Sequence, residues 1–321
     1  MKKISVIIFT YKRAMQLHTC LETLIKNFKN IDYPIHVIYH HNQEHEKSYI
    51  KLEKNFSNKS IKFYKRKKVN LLKWVFGFLR PLNLVWLLRW PIMMKERNNF
   101  KNILEDILKK IKSDYVTLCP DDMIYFDKTI VSEKGLQFLR DEGDKYQYRY
   151  FTASNLNKPY RIDNNIIKKY FNKNNKFFLW SFKDKNAKSV WKYRFTIEGT
   201  VYNTRSLLKF LKPIIYHNPI TLEAIGLWEA RIRNFFFNGL STAKRTAGTY
   251  QVNNVQKIVK TPTANFDPNL LMKAYNLGYN LLFNKNDFYK NNQTTIPSNI
   301  FLKKGEKSIN YEKLKKPIDN I

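Results

Sequence analysis

The order of apolar segments predicts an α/β protein with a mostly parallel central sheet flanked by helices. Three observations carry this expectation. Residues 4–9 and 35–39 are β-branched and aromatic runs of strand length, separated by a segment with helical period. A strongly periodic helix over 100–111 then leads into a third such run at 115–119, completing a second strand–helix–strand unit. That last run stops at Pro120, which cannot continue a ladder, and delivers Asp121 and Asp122 at its C-terminal end. Ligands of open α/β sheets bind at this edge. Two carboxylates beside the apolar wall 123–126 suit a hard divalent cation, Mg²⁺ or Mn²⁺. Pro-Asp-Asp is equally ordinary turn chemistry.

The first strand reads as buried on both faces because it has no polar alternation. It ends in Thr10-Tyr11-Lys12-Arg13. Leu17, Leu21, Leu24, Ile25 and Phe28 form the apolar stripe of the following helix. The second strand ends in His40-His41-Asn42, and residues 61–64 supply a short third. Beyond the acid pair, 148–153 reads as a strand, and 155–195 has no assignable period. Residues 195–203 read as a strand in which Gly199 marks a close backbone approach. A helix runs from Thr204 through Leu211. Thr221 is the expected N-cap of the next, which places Glu223 in its first turn and Ile225, Leu227, Trp228 and Ile232 along its apolar side.

The organisation expected is one catalytic-sized domain over 1–249 and a C-terminal extension over 250–321, mobile at its extreme end. Hydrophobic residues at 43% are enough for a packed core. Cys20 and Cys119 belong to no metal-ligand or disulfide pattern, so they read as small buried hydrophobes in a reducing compartment. The start, MKKISVIIFTYKR, has too short an apolar run for a signal peptide and reads as the first strand.

Charge is the unusual feature: 58 Lys+Arg against 26 Asp+Glu, a net +32. Such a balance favours anionic partners: nucleic acid, anionic membrane or phosphorylated ligands. Residues 65–101 concentrate it, with ten Lys/Arg, the single acid Glu96 and three Trp. Pro81 and Pro91 interrupt the segment, and no apolar stretch approaches the ~20 residues of a membrane span. Two readings stand: short amphipathic helices lying in an anionic membrane interface, or basic-rimmed helices on the protein's own core. No RRM, KH, helix-turn-helix or zinc pattern is present, so no nucleic-acid partner is expected.

Three stretches in this order carry a resemblance. SVIIFTYKR (5–13), LCPDDMIYF (118–126), and EGTVYNTRSLLKFL (198–211) followed by NPITLEA (218–224) resemble GT-A fold glycosyltransferases. The similarity is to family-2-like bacterial enzymes of cell-surface polysaccharide synthesis, lipopolysaccharide or capsule, and spans roughly the first 240 residues. It implies a GT-A fold and transfer of a sugar from a nucleotide-sugar donor, UDP-linked in preference to GDP-linked, to a hydroxyl of a glycan or lipid-linked glycan. It further implies inversion, a Mn²⁺ or Mg²⁺ ion on Asp121 and Asp122, and donor contacts from Thr10, Tyr11, Arg13, Asn42 and Asp121. Glu223 falls where the family has its catalytic base, with Glu198 as rival. Asn253 and Gln256, in YQVNNVQ, are candidates for further acceptor or donor contacts. The family's location would be cytoplasmic, peripheral on the inner face of the membrane. The chain departs from the pattern at His40-His41-Asn42, where the family has a base-reading Asp, in the compressed Asp-Asp, and in Ala224 after Glu223. The remaining alternative is a non-enzymatic polyanion-binding protein.

Overall fold

Strand β1 (Ile4–Tyr11) lies inside the sheet and is buried on both faces. Ile4, Val6 and Ile8 enter one hydrophobic cluster while Ile7 and Phe9 enter a second on the opposite side. Strand side chains alternate, so a run apolar at every position must be covered twice. The computed structural model describes residues 2–69, 98–152, 171–172, 177–185, 187, 189–242, 244–255, 263–289 and 294–313.

The first half reads β1, α1 (Ala14–Asn27), β2 (Ile31–His40), α2 (Glu46–Asn55), β3 (Ile61–Lys65), α3 (Phe100–Lys110), β4 (Tyr115–Pro120) and β5 (Met123–Tyr125). It continues through α4 (Glu133–Asp141), β6 (Tyr146–Arg149), β7 (Phe171–Asn172), β8 (Phe177–Ser181), β9 (Thr200–Asn203), α5 (Thr204–Leu211), α6 (Pro219–Ile232), β10 (Asn238–Thr242) and β11 (Ala247–Tyr250). The described strands form a nine-stranded sheet in the order β3-β2-β1-β4-β9-β6-β10-β8-β7. The pairings β1–β2, β2–β3, β1–β4 and β6–β10 are parallel, and only β9 and β8 run against their neighbours. Seven of the nine strands therefore point one way, which is the mostly parallel α/β sheet that the sequence predicts. Helix α1 covers one face, and α3 and α5 cover the other. Cys20 and Cys119 are fully buried within the first cluster.

Several elements differ from expectation for local reasons. Only 200–203 of the expected 195–203 strand pairs, because Gly199 takes a left-handed φ of 54° and turns the chain. A Cβ there would come within 2.9 Å of Met123 Cε and Tyr150 Cε2, so the close approach is real. The cap of helix α6 lies three residues before the expected Thr221: Asn218 is extended, accepts from the Thr221 amide, and Pro219 follows at the first helical position. Thr221 is the third helical residue and closes a capping box, so Glu223 lies in the second turn. The inward side of α6 is Leu222, Gly226 and Ala230, whereas Trp228 and Ile232 are 68% and 70% exposed.

The C-terminal region continues with α7 (Pro268–Asn276), β12 (Asn280–Leu282), α8 (Lys285–Tyr289), β13 (Thr294–Thr295), β14 (Phe301–Lys304) and β15 (Lys307–Asn310). Its described residues are built into the first core. Leu270, Leu271, Ala274, Tyr275 and Leu302 share a cluster with Leu17, Leu21 and Leu24 of α1. Tyr275 Oη lies 2.9 Å from His18 Nδ1, and Lys51 donates to Tyr275 O at 2.6 Å. Strand β11 joins β5 and β13 in a three-stranded sheet, so a boundary at 249/250 would divide β11. Residues 70–97 of the basic Trp-rich segment lie outside the described residues, as does Gln256. No helix among the described residues is long and apolar enough to cross a membrane.

Candidate active site

The C-terminal ends of β1, β2 and β4 open into one cavity of about 610 Å³. Its lining carries both charges: the acids Asp121, Asp122, Glu198 and Glu223, and the basic residues Lys12, Arg13, His40, Arg66, Lys67 and Lys68. Parallel neighbours whose side chains stop at a common edge account for the convergence: Tyr11 is in register with His40, and Phe9 with Pro120.

Arg13 is the link between strand ends. After β1, Lys12 turns at φ 55° with its amide on His40 O at 3.2 Å, and Arg13 then points back across the sheet edge. Its Nη2 sits 2.5 Å from Asp121 Oδ1 and its Nε donates to Asp121 Oδ2 at 3.2 Å. Nη1 donates to Asp122 Oδ2 at 3.1 Å and to Asn253 O at 3.3 Å. Burial works against the Arg13 charge, but the two carboxylates outweigh it and hold the guanidinium firmly protonated. Burial raises Asp121 to about 6 against the pull of Arg13, with Asp122 adding to the rise. Asp122 is pinned by its backbone, since its carbonyl accepts from the Tyr250 amide of β11 at 2.8 Å.

The other acid pair is assembled by the loop before β9. Thr196 Oγ1 donates to Glu223 Oε1 at 2.5 Å and the Ile197 amide to the same oxygen at 3.2 Å. The Glu198 amide in turn donates to Thr196 Oγ1 at 3.2 Å. Burial raises Glu223, opposed by those two hydrogen bonds. Burial, Glu223 and Asp122 together raise Glu198 well above the carboxylate range. Behind them Arg149, fully buried, stacks over Phe182 at 4.9 Å and donates to Gln147 Oε1 at 3.3 Å. Burial lowers its affinity for the proton to about 10, while Tyr202, Glu198 and Glu223 work to keep it charged.

The expected site residues fall into three groups. Thr10, Tyr11, Arg13, Asp121, Asp122, Glu198 and Glu223 all line the cavity. Asn253 stands behind them, 2% exposed, where Gln16 Nε2 donates to its Oδ1 at 3.2 Å and its carbonyl receives Arg13. It positions rather than lines, while its neighbour Gln251 reaches the wall. Asn42 is directed elsewhere, its amide donating to Glu44 Oε2 at 2.8 Å. His40 takes the place at that strand end, stacked on Tyr11 with ring centroids 5.6 Å apart. Burial, with Arg66 adding to it, pushes His40 down to about 4, so it is a neutral ring at pH 7. Thr196 and Arg149 were not legible beforehand. A threonine in a loop and an arginine on a strand carry no signal until the fold brings them to Glu223 and Glu198.

Among the described residues no group of three or more His, Cys, Asp or Glu is disposed to hold a metal by itself. The acid pair nevertheless fits a hard cation. Asp122 Oδ1 is buried with no hydrogen-bond donor, and Mg²⁺ is characteristically bound by one or two carboxylates together with substrate phosphates and water.

No family model and no curated protein matches this sequence. Among solved structures the chain is similar to S. aureus TarS 1–349, at 15% identity and a TM-score of 0.42 over 76% of this chain and 59% of that one. It thus spans less than two thirds of the TarS chain. It is also similar to WbbM, a bifunctional glycosyltransferase, at 11% identity and a TM-score of 0.35, covering 74% of this chain and 37% of that one. A third similarity is to the S. cerevisiae mannosyltransferase Ktr4p, at 12% identity and a TM-score of 0.29, covering 73% and 62%.

Proposed function

We propose that this chain is a glycosyltransferase that moves a sugar from a nucleotide-sugar donor to a hydroxyl of a glycan or lipid-linked glycan. The observation that carries the reading is the shared cavity, in which the Arg13-clamped pair Asp121–Asp122 meets Glu198 and Glu223. Such a reaction needs a place for a diphosphate leaving group and a base for an acceptor hydroxyl. The wall of Lys12, Arg66, Lys67 and Lys68 supplies charge for the first, and the neutral His40–Tyr11 stack offers a flat surface for a base or ribose. UDP is favoured over GDP as the carrier, on the strength of the motif resemblance.

Mn²⁺ or Mg²⁺ would be held by Asp121 and Asp122, and when bound it supplies Lewis-acid stabilisation of the departing diphosphate. Arg13 then orients both carboxylates through its fork. Glu223 is the proposed base: Thr196 and the Ile197 amide fix one oxygen, and the other remains for the acceptor proton. Glu198 lines the cavity beside it, and the Glu223 charge, after burial, raises the proton affinity of Glu198. Inversion by single displacement follows if acceptor and leaving group occupy opposite sides of the sugar. The polyanion-binding alternative is disfavoured because four carboxylates line the same cavity. In this proposal the catalytic residues lie within 1–249, and the C-terminal extension packs on α1.

A thermal-shift screen against UDP-, GDP-, CMP- and dTDP-sugars, with Mn²⁺ and with EDTA, tests the reading. A cation-dependent rise for one nucleotide is expected. No shift with any donor would remove donor binding from this cavity.

A further inference from the structure

Helix α6 is apolar nearly all the way round. Its inner side, Leu222, Gly226 and Ala230, is buried, with Gly226 pressed so close to Phe195 that a Cβ would meet that ring at 2.4 Å. A helix of this kind is ordinarily enclosed on all sides. Here the outer side is open: Ala224 is exposed, Trp228 is 68% and Ile232 70% exposed, and Leu227 is half-buried. Ile220, Ala224, Trp228 and Ile232 follow one another at four-residue spacing, so they form a continuous stripe along the helix. The stripe begins at Ile220, which lines the cavity.

Charge distinguishes what this face fits. The exposed charge within the stripe is Arg231, and Arg194 lies near enough that Arg231, after burial, depresses its proton affinity. Neither acid of the helix belongs to the stripe: Glu223 faces the cavity and Thr196, and Glu229 is half-buried. An exposed Trp and Ile flanked by guanidinium groups, with no acid in the stripe itself, on a chain of net charge +32, is complementary to anionic lipid headgroups over an acyl boundary.

We propose that the outer face of α6, centred on Trp228, Ile232 and Arg231, docks on an anionic phospholipid bilayer. Docked so, the helix holds the Ile220 end of the cavity next to the headgroups, where a lipid-borne hydroxyl would arrive. The surface is made of residues other than those of the basic Trp-rich segment and does not depend on which sugar, if any, the cavity transfers.

The test is co-sedimentation of the full chain with vesicles of phosphatidylglycerol and phosphatidylcholine, and with phosphatidylcholine alone. Binding to the first and little to the second is expected. The double variant Trp228→Ser, Ile232→Ser should lose partitioning by on the order of ten-fold or more. Unchanged partitioning of that variant would overturn the proposal. So would a concentration-dependent dimer in sedimentation velocity that the double variant abolishes, with no vesicle binding by the wild type; the face would then be a homodimer interface. A second variant guards against misfolding: Cys20 and Cys119 are fully buried, so Ala224→Cys can be labelled singly with a polarity-sensitive dye. A blue shift on adding anionic vesicles is expected, and an unshifted spectrum with bound protein would refute the docking face. Donor-induced thermal shifts should be the same in all these variants, which separates failure here from failure of the glycosyltransferase reading.

Discussion

Arg13 holds Asp121 by two parallel contacts, Nη2 to Oδ1 at 2.5 Å and Nε to Oδ2 at 3.2 Å, across 108 residues of chain. The fork joins the end of β1 to the end of β4, and its third nitrogen reaches Asp122. Lysine has the charge but not the planar fork. Arg13→Ala leaves two buried carboxylates without their counter-charge and should cost about 3–5 kcal/mol in urea unfolding. Arg13→Lys should fall between wild type and alanine. Equal stability of Lys and Arg would show that the bidentate geometry contributes nothing.

Asp122→Asn keeps the shape of the side chain and removes its charge. With Asp122 Oδ1 as an oxygen offered to the cation, the variant should lose the Mn²⁺-dependent part of donor binding in isothermal titration and retain the EDTA-insensitive remainder. Wild-type protein in EDTA should behave like the variant in Mn²⁺. Identical affinities for both proteins with Mn²⁺ would take the metal away from this residue.

Glu223→Gln should bind donor normally and transfer sugar about 10²–10⁴-fold more slowly, the range general-base catalysis supplies. Thr196→Val tests the positioning step. The Thr196 hydrogen bond lowers the pKa of Glu223, so its loss should move the rising limb of the pH–rate profile to higher pH. A slower variant with an unmoved profile would make Thr196 structural only.

Glu198 provides a stability test with a defined sign. Its folded pKa is raised from 4.5 to about 8 by burial, Glu223 and Asp122. A raised folded pKa means stability present below about 4.5 and lost as pH rises through about 8. Glu198→Gln removes the titration. The variant should match wild type near pH 4.5 and melt a few degrees higher, about 2–4 °C, at pH 8–9. A wild-type advantage at pH 9 would contradict the burial argument.

Gly199→Ala should destabilise by about 1–3 kcal/mol, since φ is 54° and the new methyl meets Met123 and Tyr150 at 2.9 Å. The loop carrying Glu198 and Thr196 would move with it, so a drop in transfer should accompany the loss of stability.

The amino-acid sequence by itself determined the sheet and its edge. Runs of β-branched residues without alternation demand burial on both faces, as in β1 and β4, and helices must supply it. The positions of Arg13, Asp121 and Asp122 were legible because strand ends are local events marked by Pro120 and turn residues, whereas the cap of α6 fell at Asn218 and moved Glu223 from the first turn to the second. Tertiary structure decided what long-range packing alone can decide. It chose His40 over Asn42 at the second strand end, because register with Tyr11 sets which side chain reaches the cavity. It placed Arg149 and Thr196 behind the acids, drew 268–282 onto α1, and turned Trp228 and Ile232 outward. A helix apolar on every side has no pattern that names its inner face. Only the neighbours that press on Gly226 determine it.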